Sequence, residues 1–240
     1  MPLVWIDPGH GGEDPGALNK NLNLQEKRLA LKVALEVEKK LKENGVDVIM
    51  TRRDDKTLNY IQRYQLENAN DCNLAISIHL NSCAIPNSAS GCEIWIHSKA
   101  HHTIKRWANN MIKRIAEVKG TNIRGVKQGF PGKPNADFWV NRLTKSNSML
   151  IELGFINSDH DATLINGSYK EYARAIAMGV CDELGKKYVD NVKPNVYDFE
   201  INNLNDINLA FLLGAKMETG ERFEDFLIRQ GFRFKLVKRK

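Results

Sequence analysis

Cysteine is scarce in this chain: four in 240 residues, at positions 72, 83, 92 and 181. None forms a C-x-x-C pair, which argues against a structural zinc knuckle, and four in so long a chain do not make a disulfide framework. They read as small buried or partly buried thiols of a protein made in a reducing compartment. Long apolar runs are missing too. No stretch approaches the roughly 20 residues that cross a bilayer. The opening residues Met1-Pro2-Leu3-Val4-Trp5-Ile6-Asp7 enter an apparent strand at once, without a basic leader, so they do not read as a secretory signal. The expectation is synthesis in the cytoplasm and release by another route, unless a signal was removed. No internal repeat is long enough for a solenoid or for tandem modules.

Lysine and arginine number 35 against 29 acids, a formal net charge of +6. This sign favours anionic polymers, either nucleic acid or an anionic cell wall. No nucleic-acid motif accompanies it, so no specific nucleic-acid partner is expected. The tail from Phe232 to Lys240 alternates bases with apolar residues.

The length suits one α/β domain with a small appendage. Residues 3–7, 46–51, 74–78, 92–96 and 149–153 read as strands, and 138–140 as a short one. Residues 25–44, 59–70, 99–118, 158–166 and 169–188 read as helices, the first stopped by Asn44-Gly45. Strands alternating with helices predict a mostly parallel central sheet with helices on both faces. Residues 189–195 look like a linker. Residues 196–240 form a small C-terminal segment with helical stretches at 206–213 and 223–230. It serves either as a wall-targeting element or as a structural brace.

Four stretches carry chemistry. They are Ile6-Asp7-Pro8-Gly9-His10-Gly11-Gly12, Gln25-Glu26-Lys27, Ile76-Ser77-Ile78-His79-Leu80-Asn81-Ser82 and Leu150-Ile151-Glu152-Leu153-Gly154-Phe155. Gly9, Gly11 and Gly12 remove side chains around His10 and let backbone come close to a ligand. His79 stands just past an apolar strand, where an imidazole without a partner is costly. Glu152 lies inside an apolar run, where a carboxylate needs a metal or a proton. Glu26 opens a helix, where it also complements the helix dipole. In a parallel sheet, chemistry gathers beyond the carboxyl ends of the strands, which brings His10, His79 and Glu152 to one edge. Two imidazoles and one carboxylate are the ligand set of a catalytic zinc site with one position left for water, and a second carboxylate serves as proton acceptor. Ser77, Asn81 and Ser82 read as hydrogen-bonding residues of the loop. Glu93 reads equally as structural or as an aid to substrate binding.

These four runs together resemble the zinc-dependent N-acetylmuramoyl-L-alanine amidases of the type-3 amidase family. The resemblance covers about residues 3–188. Arg124-Gly125-Val126-Lys127 is similar to a turn of that family near its cleft, and Phe138-Trp139-Val140-Asn141-Arg142 to the segment before the glutamate strand. The departures are Leu80 where the family commonly has Ala, and Asn147-Ser148 where it has Pro or a small residue. Neither removes a ligand. The resemblance implies a catalytic domain over residues 1–188, with His10, Glu26 and His79 as ligands of Zn2+ and Glu152 as the catalytic glutamate. The implied reaction is hydrolysis of the amide between N-acetylmuramic acid and L-alanine in peptidoglycan. A zinc peptidase cutting within the stem peptide is the alternative. A short chain with no recognised wall-binding repeat resembles a phage or prophage endolysin, or else the catalytic part of a bacterial autolysin.

Overall fold

The fold comes from a computed structural model, which describes residues 1–133 and 136–190. Its compact unit ends at Val189. The expected linker beyond 190 and the segment 196–240 lie outside the described residues.

Eight strands form: β1 (Leu3–Pro8), β2 (Leu18–Asn19), β3 (Leu24–Gln25), β4 (Asp47–Met50), β5 (Leu74–Asn81), β6 (Cys92–Ile96), β7 (Ile123–Gln128) and β8 (Asn147–Phe155). The helices are α1 (Glu26–Glu43), α2 (Tyr60–Asn68), α3 (His102–Ala116), α4 (Trp139–Leu143), α5 (Asp159–Gly167) and α6 (Tyr169–Glu183). The main sheet has the order β4-β1-β5-β8-β6-β7, and β2 pairs with β3 as a separate ribbon. Every neighbouring pair in the main sheet is parallel except β6 with β8. A mostly parallel sheet was the expectation, and it holds.

The two faces of the sheet differ. Val4, Ile6, Ile76, Ile78, Ile94, Met149 and Ile151 point to one face and join the larger core, with α1, α3, α5 and α6. In α1, Leu29, Val33, Val37 and Leu41 recur at helical spacing and are buried together. Burying each such side chain contributes about 1.5–3 kcal/mol. Gly45 ends α1 at φ +68°, as the Asn-Gly pair predicts. The other face carries Trp5, Ala75, Trp95 and Leu150, packed with Val140 of α4 into a small second core. The same face carries Asp7, Ser77, His79, Glu152 and Glu93, because strand side chains alternate. Register aligns His79 with Glu152, Glu152 with Glu93, and Glu93 with Gly125, in one row across four strands.

Three expectations need correction. Residues 138–140 are not a strand; Trp139–Leu143 is a helical turn, because Val140 must reach the second core rather than pair in the sheet. The family-like turn at Arg124–Lys127 is the sheet's last strand, unread because none of its residues is fully buried and a glycine and two cations interrupt it. His79 lies inside β5 rather than beyond it. All four cysteines are free, and Cys92 and Cys181 are buried. Among the described residues, no helix is long and apolar enough to cross a membrane.

Candidate metal centre

The chain leaves β1 through Asp7-Pro8-Gly9-His10, and His10 takes φ +59°, unusual for a residue with a side chain. Two arginines buried to 5% exposure or less hold this strained path. Arg52 donates to the carbonyls of Pro8 at 3.1 Å and Gly9 at 2.7 Å. Arg63 donates to those of Pro8 at 2.9 Å and His10 at 2.7 Å. Arg63 also pairs with Asp7 Oδ1 at 2.7 Å, and Asp7 further accepts from the Thr51 and Ser77 hydroxyls. Arg63→Met would strand the Asp7 charge, whose side chain is 1% exposed. The expected cost of about 3–5 kcal/mol lowers Tm by roughly 6–20 °C. Calorimetry of the variant checks this, and an unchanged Tm refutes it.

Glu26 is the first residue of α1 and is buried. Its Oε1 stands 3.0 Å from His10 Nε2 and 3.0 Å from His79 Nδ1, and accepts from the Leu80 amide at 3.0 Å. Its Oε2 accepts from the Ala17 amide at 3.0 Å. The two imidazole rings are 5.0 Å apart at 79°. Two glycines permit this crowding. A Cβ on Gly9 would lie 2.3 Å from the His79 ring, and one on Gly16 2.7 Å from Glu26 Oε2. Behind His10, Asp14 Oδ2 is 2.8 Å from Nδ1. A carboxylate there fixes the ring and leaves Nε2 toward the centre.

The electrostatics follow from this geometry. Burial alone would raise the Glu26 carboxyl, but the hydrogen bonds and charges of His10 and His79 outweigh it and hold it well below the usual carboxylate range. Burial alone would lower His10, but Glu26 and then Asp14 push it up to about 9. Glu152 goes the other way. Burial raises its carboxyl well above the ordinary value, and the charges of Glu26 and Glu93 add to the effect. Its Oε2 is buried with no hydrogen-bond partner among the described residues.

His10, Glu26 and His79 each offer one donor atom, all within 4.8 Å of one another, and no other such cluster occurs among the described residues. Two imidazole nitrogens and one carboxylate oxygen fit zinc. Glu152, in register with His79, brings to the same place a buried carboxylate oxygen that has no partner among the described residues. Beside His10 and His79 opens a cleft of about 270 Å³, walled by Leu58, Asn59, Tyr60 and Trp139.

The structure thus brings His10, Glu26, His79 and Glu152 to one place. Ser77 donates to Asp7, and Asn81 to Glu93 at 2.8 Å, so both hold the frame. Sequence reasoning missed Asp14, Arg52 and Arg63. Asp14 had a signal, four residues past His10 in a glycine-rich loop. The arginines had none, since a charge on a helix or after a strand normally faces solvent.

Residues 4–182 match the sequence profile of a family described as N-acetylmuramoyl-L-alanine amidase. The chain belongs to this type-3 amidase family. Relatives match over most of the chain. CwlM of Bacillus licheniformis, named an N-acetylmuramoyl-L-alanine amidase, is 30% identical over 190 residues, 78% of this chain and 69% of that protein. The protein YqiI of Bacillus subtilis is 34% identical over 186 residues, 77% and 84% of the two chains. Among solved structures, an N-acetylmuramoyl-L-alanine amidase of Clostridium difficile superposes with a TM-score of 0.71 at 32% identity, covering 78% of this chain and 98% of that one. The catalytic domain of CwlV from Bacillus (Paenibacillus) polymyxa var. colistinus gives 0.69 at 33%, covering 78% of this chain and all of that one. Both the family and the fold class agree with the sequence reading.

Proposed function

We propose that this amidase hydrolyses the bond between the lactyl group of N-acetylmuramic acid and L-alanine, with zinc held by His10, Glu26 and His79 and with Glu152 as general base. The observation that carries this reading is the convergence of three donor atoms within 4.8 Å, beside a buried carboxylate oxygen that has no partner. When bound there, zinc supplies Lewis acidity, which polarises the scissile carbonyl and makes a water nucleophilic near neutral pH.

The chain's own groups do the rest. Asp14 orients His10, and the Leu80 and Ala17 amides fix Glu26. Glu26 opposes ionisation of Glu152 through its charge, an opposition that a cation held by His10, Glu26 and His79 would reduce. Glu152 then accepts a proton from the attacking water and passes it to the leaving nitrogen. The water oxygen bonds to the lactyl carbonyl carbon, the C–N bond breaks, and the products are a lactyl carboxylate and a free L-alanine amine. The site lies toward the carboxyl ends of the central strands β1, β5 and β8, beside a surface cleft.

We assign catalysis to residues 1–188. The end of the compact unit is fastened by the Asn44 side chain, which accepts from the Val189 amide at 2.7 Å and donates to its carbonyl at 3.1 Å. Residues 1–189 and the full chain are therefore both expected to cleave a defined muramoyl peptide with the same products. Mass analysis checks this. A new lactyl carboxyl and an N-terminal L-alanine support the reading; a cut within the stem peptide overturns it. If residues 1–189 alone are insoluble, the C-terminal segment is a brace rather than a wall-targeting element.

A further inference from the structure

The row of aligned residues that begins at His79 does not stop at Glu152. Its next member is Glu93, which is 3% exposed. Both oxygens of Glu93 are occupied. Oε1 accepts from Asn81 Nδ2 at 2.8 Å and from Trp95 Nε1 at 3.0 Å. Oε2 accepts from Arg124 Nε at 2.9 Å and pairs with Lys127 Nζ at 3.0 Å. One buried carboxylate thus faces two cations, which leaves one positive charge in excess. The cations are the outward part of the cluster, with side chains 38% and 35% exposed against 4% for Glu93. Arg124 donates to protein only through Nε among the described residues, so both terminal nitrogens of its fork are available. Its guanidinium lies 5.0 Å from the Phe155 ring centroid, and the Lys127 ammonium 5.6 Å from that of Trp95. Four separate contacts therefore fix two cations side by side.

The backbone between them is open. Gly125, in register with Glu93, takes φ +96°, and a Cβ built on it would meet nothing within 4 Å. Open space thus lies at Gly125, between the two cations. Strands are about 4.8 Å apart, so β7 lies about 10 Å from β8, and the cations lean back toward β6. An extended peptide at about 3.4 Å per residue covers about 10 Å in three residues, and the lean of the cations toward β6 brings them within reach of the second.

The chemistry of the substrate decides which end lies here. The lactyl carboxyl of muramic acid is consumed in the amide, so the sugar side carries no charge at the bond. Free carboxylates sit on the peptide. The cleft on the opposite side of the metal residues is lined by Leu58, Asn59, Tyr60 and Trp139 together with Asp7, Asp14 and Arg63; Arg63 is buried and paired with Asp7, so that side offers no exposed excess of positive charge for a carboxylate.

We propose that Arg124 and Lys127, positioned by Glu93, form an anion subsite for a free carboxylate of the substrate's peptide about two residues beyond the bond cut. The proposal rests on the amidase reading above. It makes the enzyme discriminate between peptides bearing a carboxylate and a carboxamide at the residue after L-alanine.

The test uses two synthetic substrates whose second residue has its γ-carboxyl capped as the methylamide, N-acetylmuramoyl-L-alanyl-D-glutamate γ-methylamide with a free α-carboxylate and its α-carboxamide counterpart, with the zinc-loaded full chain. The acid is expected to show a kcat/KM about tenfold or more above the amide, since a charge-assisted hydrogen bond is worth at least that much. Arg124→Gln and Lys127→Met should each raise KM for the acid by about fivefold to tenfold and leave both constants for the amide within about twofold. Loss in a purely structural role would instead fall equally on both substrates, and that result overturns the subsite. So does a wild-type enzyme indifferent to the two. Binding of both peptides to zinc-loaded Glu152→Gln protein, measured by calorimetry, covers the case of variants that fail to fold. Tighter binding of the acid supports the subsite, and equal affinity overturns it. If neither peptide is cut yet the acid binds more tightly, the amidase reading fails and the subsite stands.

Discussion

Glu152→Gln is expected to keep about one zinc per chain and to lower turnover by about 100-fold or more, the usual scale for losing a general base. The amide matches the carboxyl in shape, so the pairing of β8 with β5 and β6 is undisturbed. Glu152 makes no hydrogen bond through Oε2 that the substitution could break. The ligand atoms of His10, Glu26 and His79 are likewise untouched. Stability should move the other way. The folded metal-free protein holds a proton on Glu152 well above the ordinary value of 4.5, so it binds more protons than the unfolded chain. The wild type therefore loses stability as pH rises above about 4.5, and the glutamine variant lacks that loss. Metal-free Glu152→Gln should melt at or above the wild-type temperature at neutral pH, by an interval that widens as pH rises. Zinc analysis, steady-state rates and calorimetry read the three quantities. Loss of zinc together with activity would make Glu152 a ligand and refute the assignment.

Much of this site was legible because its residues break local rules. A glutamate in Met149-Leu150-Ile151-Glu152-Leu153 contradicts its apolar surroundings, and a histidine following Ala75-Ile76-Ser77-Ile78 does the same. Such conflicts mark candidate positions without any structure. The parallel core was legible for a related reason, since strands covered on both faces are nearly continuous in apolar residues. β7 was not, because Ile-Arg-Gly-Val-Lys-Gln is an edge strand with a glycine and two cations and shows no periodicity. α4 was misread since five residues are too few to reveal a period.

The supporting groups were hidden for a different reason. Arg52, Arg63 and Asp14 act by hydrogen bonds to backbone or to a ring, and such bonds leave no pattern in the chain. The cation pair Arg124 and Lys127 gains its meaning from Glu93, some 30 positions earlier, and only strand register puts them together. In each case the chemistry was visible as residue types, while the partner depended on which strands became neighbours.

His79→Ala is expected to abolish both zinc retention and wall lysis, and the contrast with Glu152→Gln is what separates ligand from base. His79 supplies one of three donor atoms. Removing a ligand leaves two donors and an opened wall, so metal content should fall together with rate. Chelation of the wild type should have the same effect on rate, and added zinc should restore only the wild type. Proton linkage adds a second signature. In the metal-free protein His10 is held up to about 9 by Glu26 and Asp14, so at pH 7 it is protonated and must give up that proton for Nε2 to bind a cation. Zinc affinity should therefore rise with pH from 6 to about 9 and then level off. Titration at pH 7 should release about one proton per zinc, read from the dependence of the binding heat on buffer ionisation. Asp14→Asn removes part of the cause of the raised value. It should shift the levelling point to lower pH and weaken zinc at high pH, where only the orientation of the ring remains to be lost. A metal-free enzyme that lyses walls at full rate would end the zinc assignment outright.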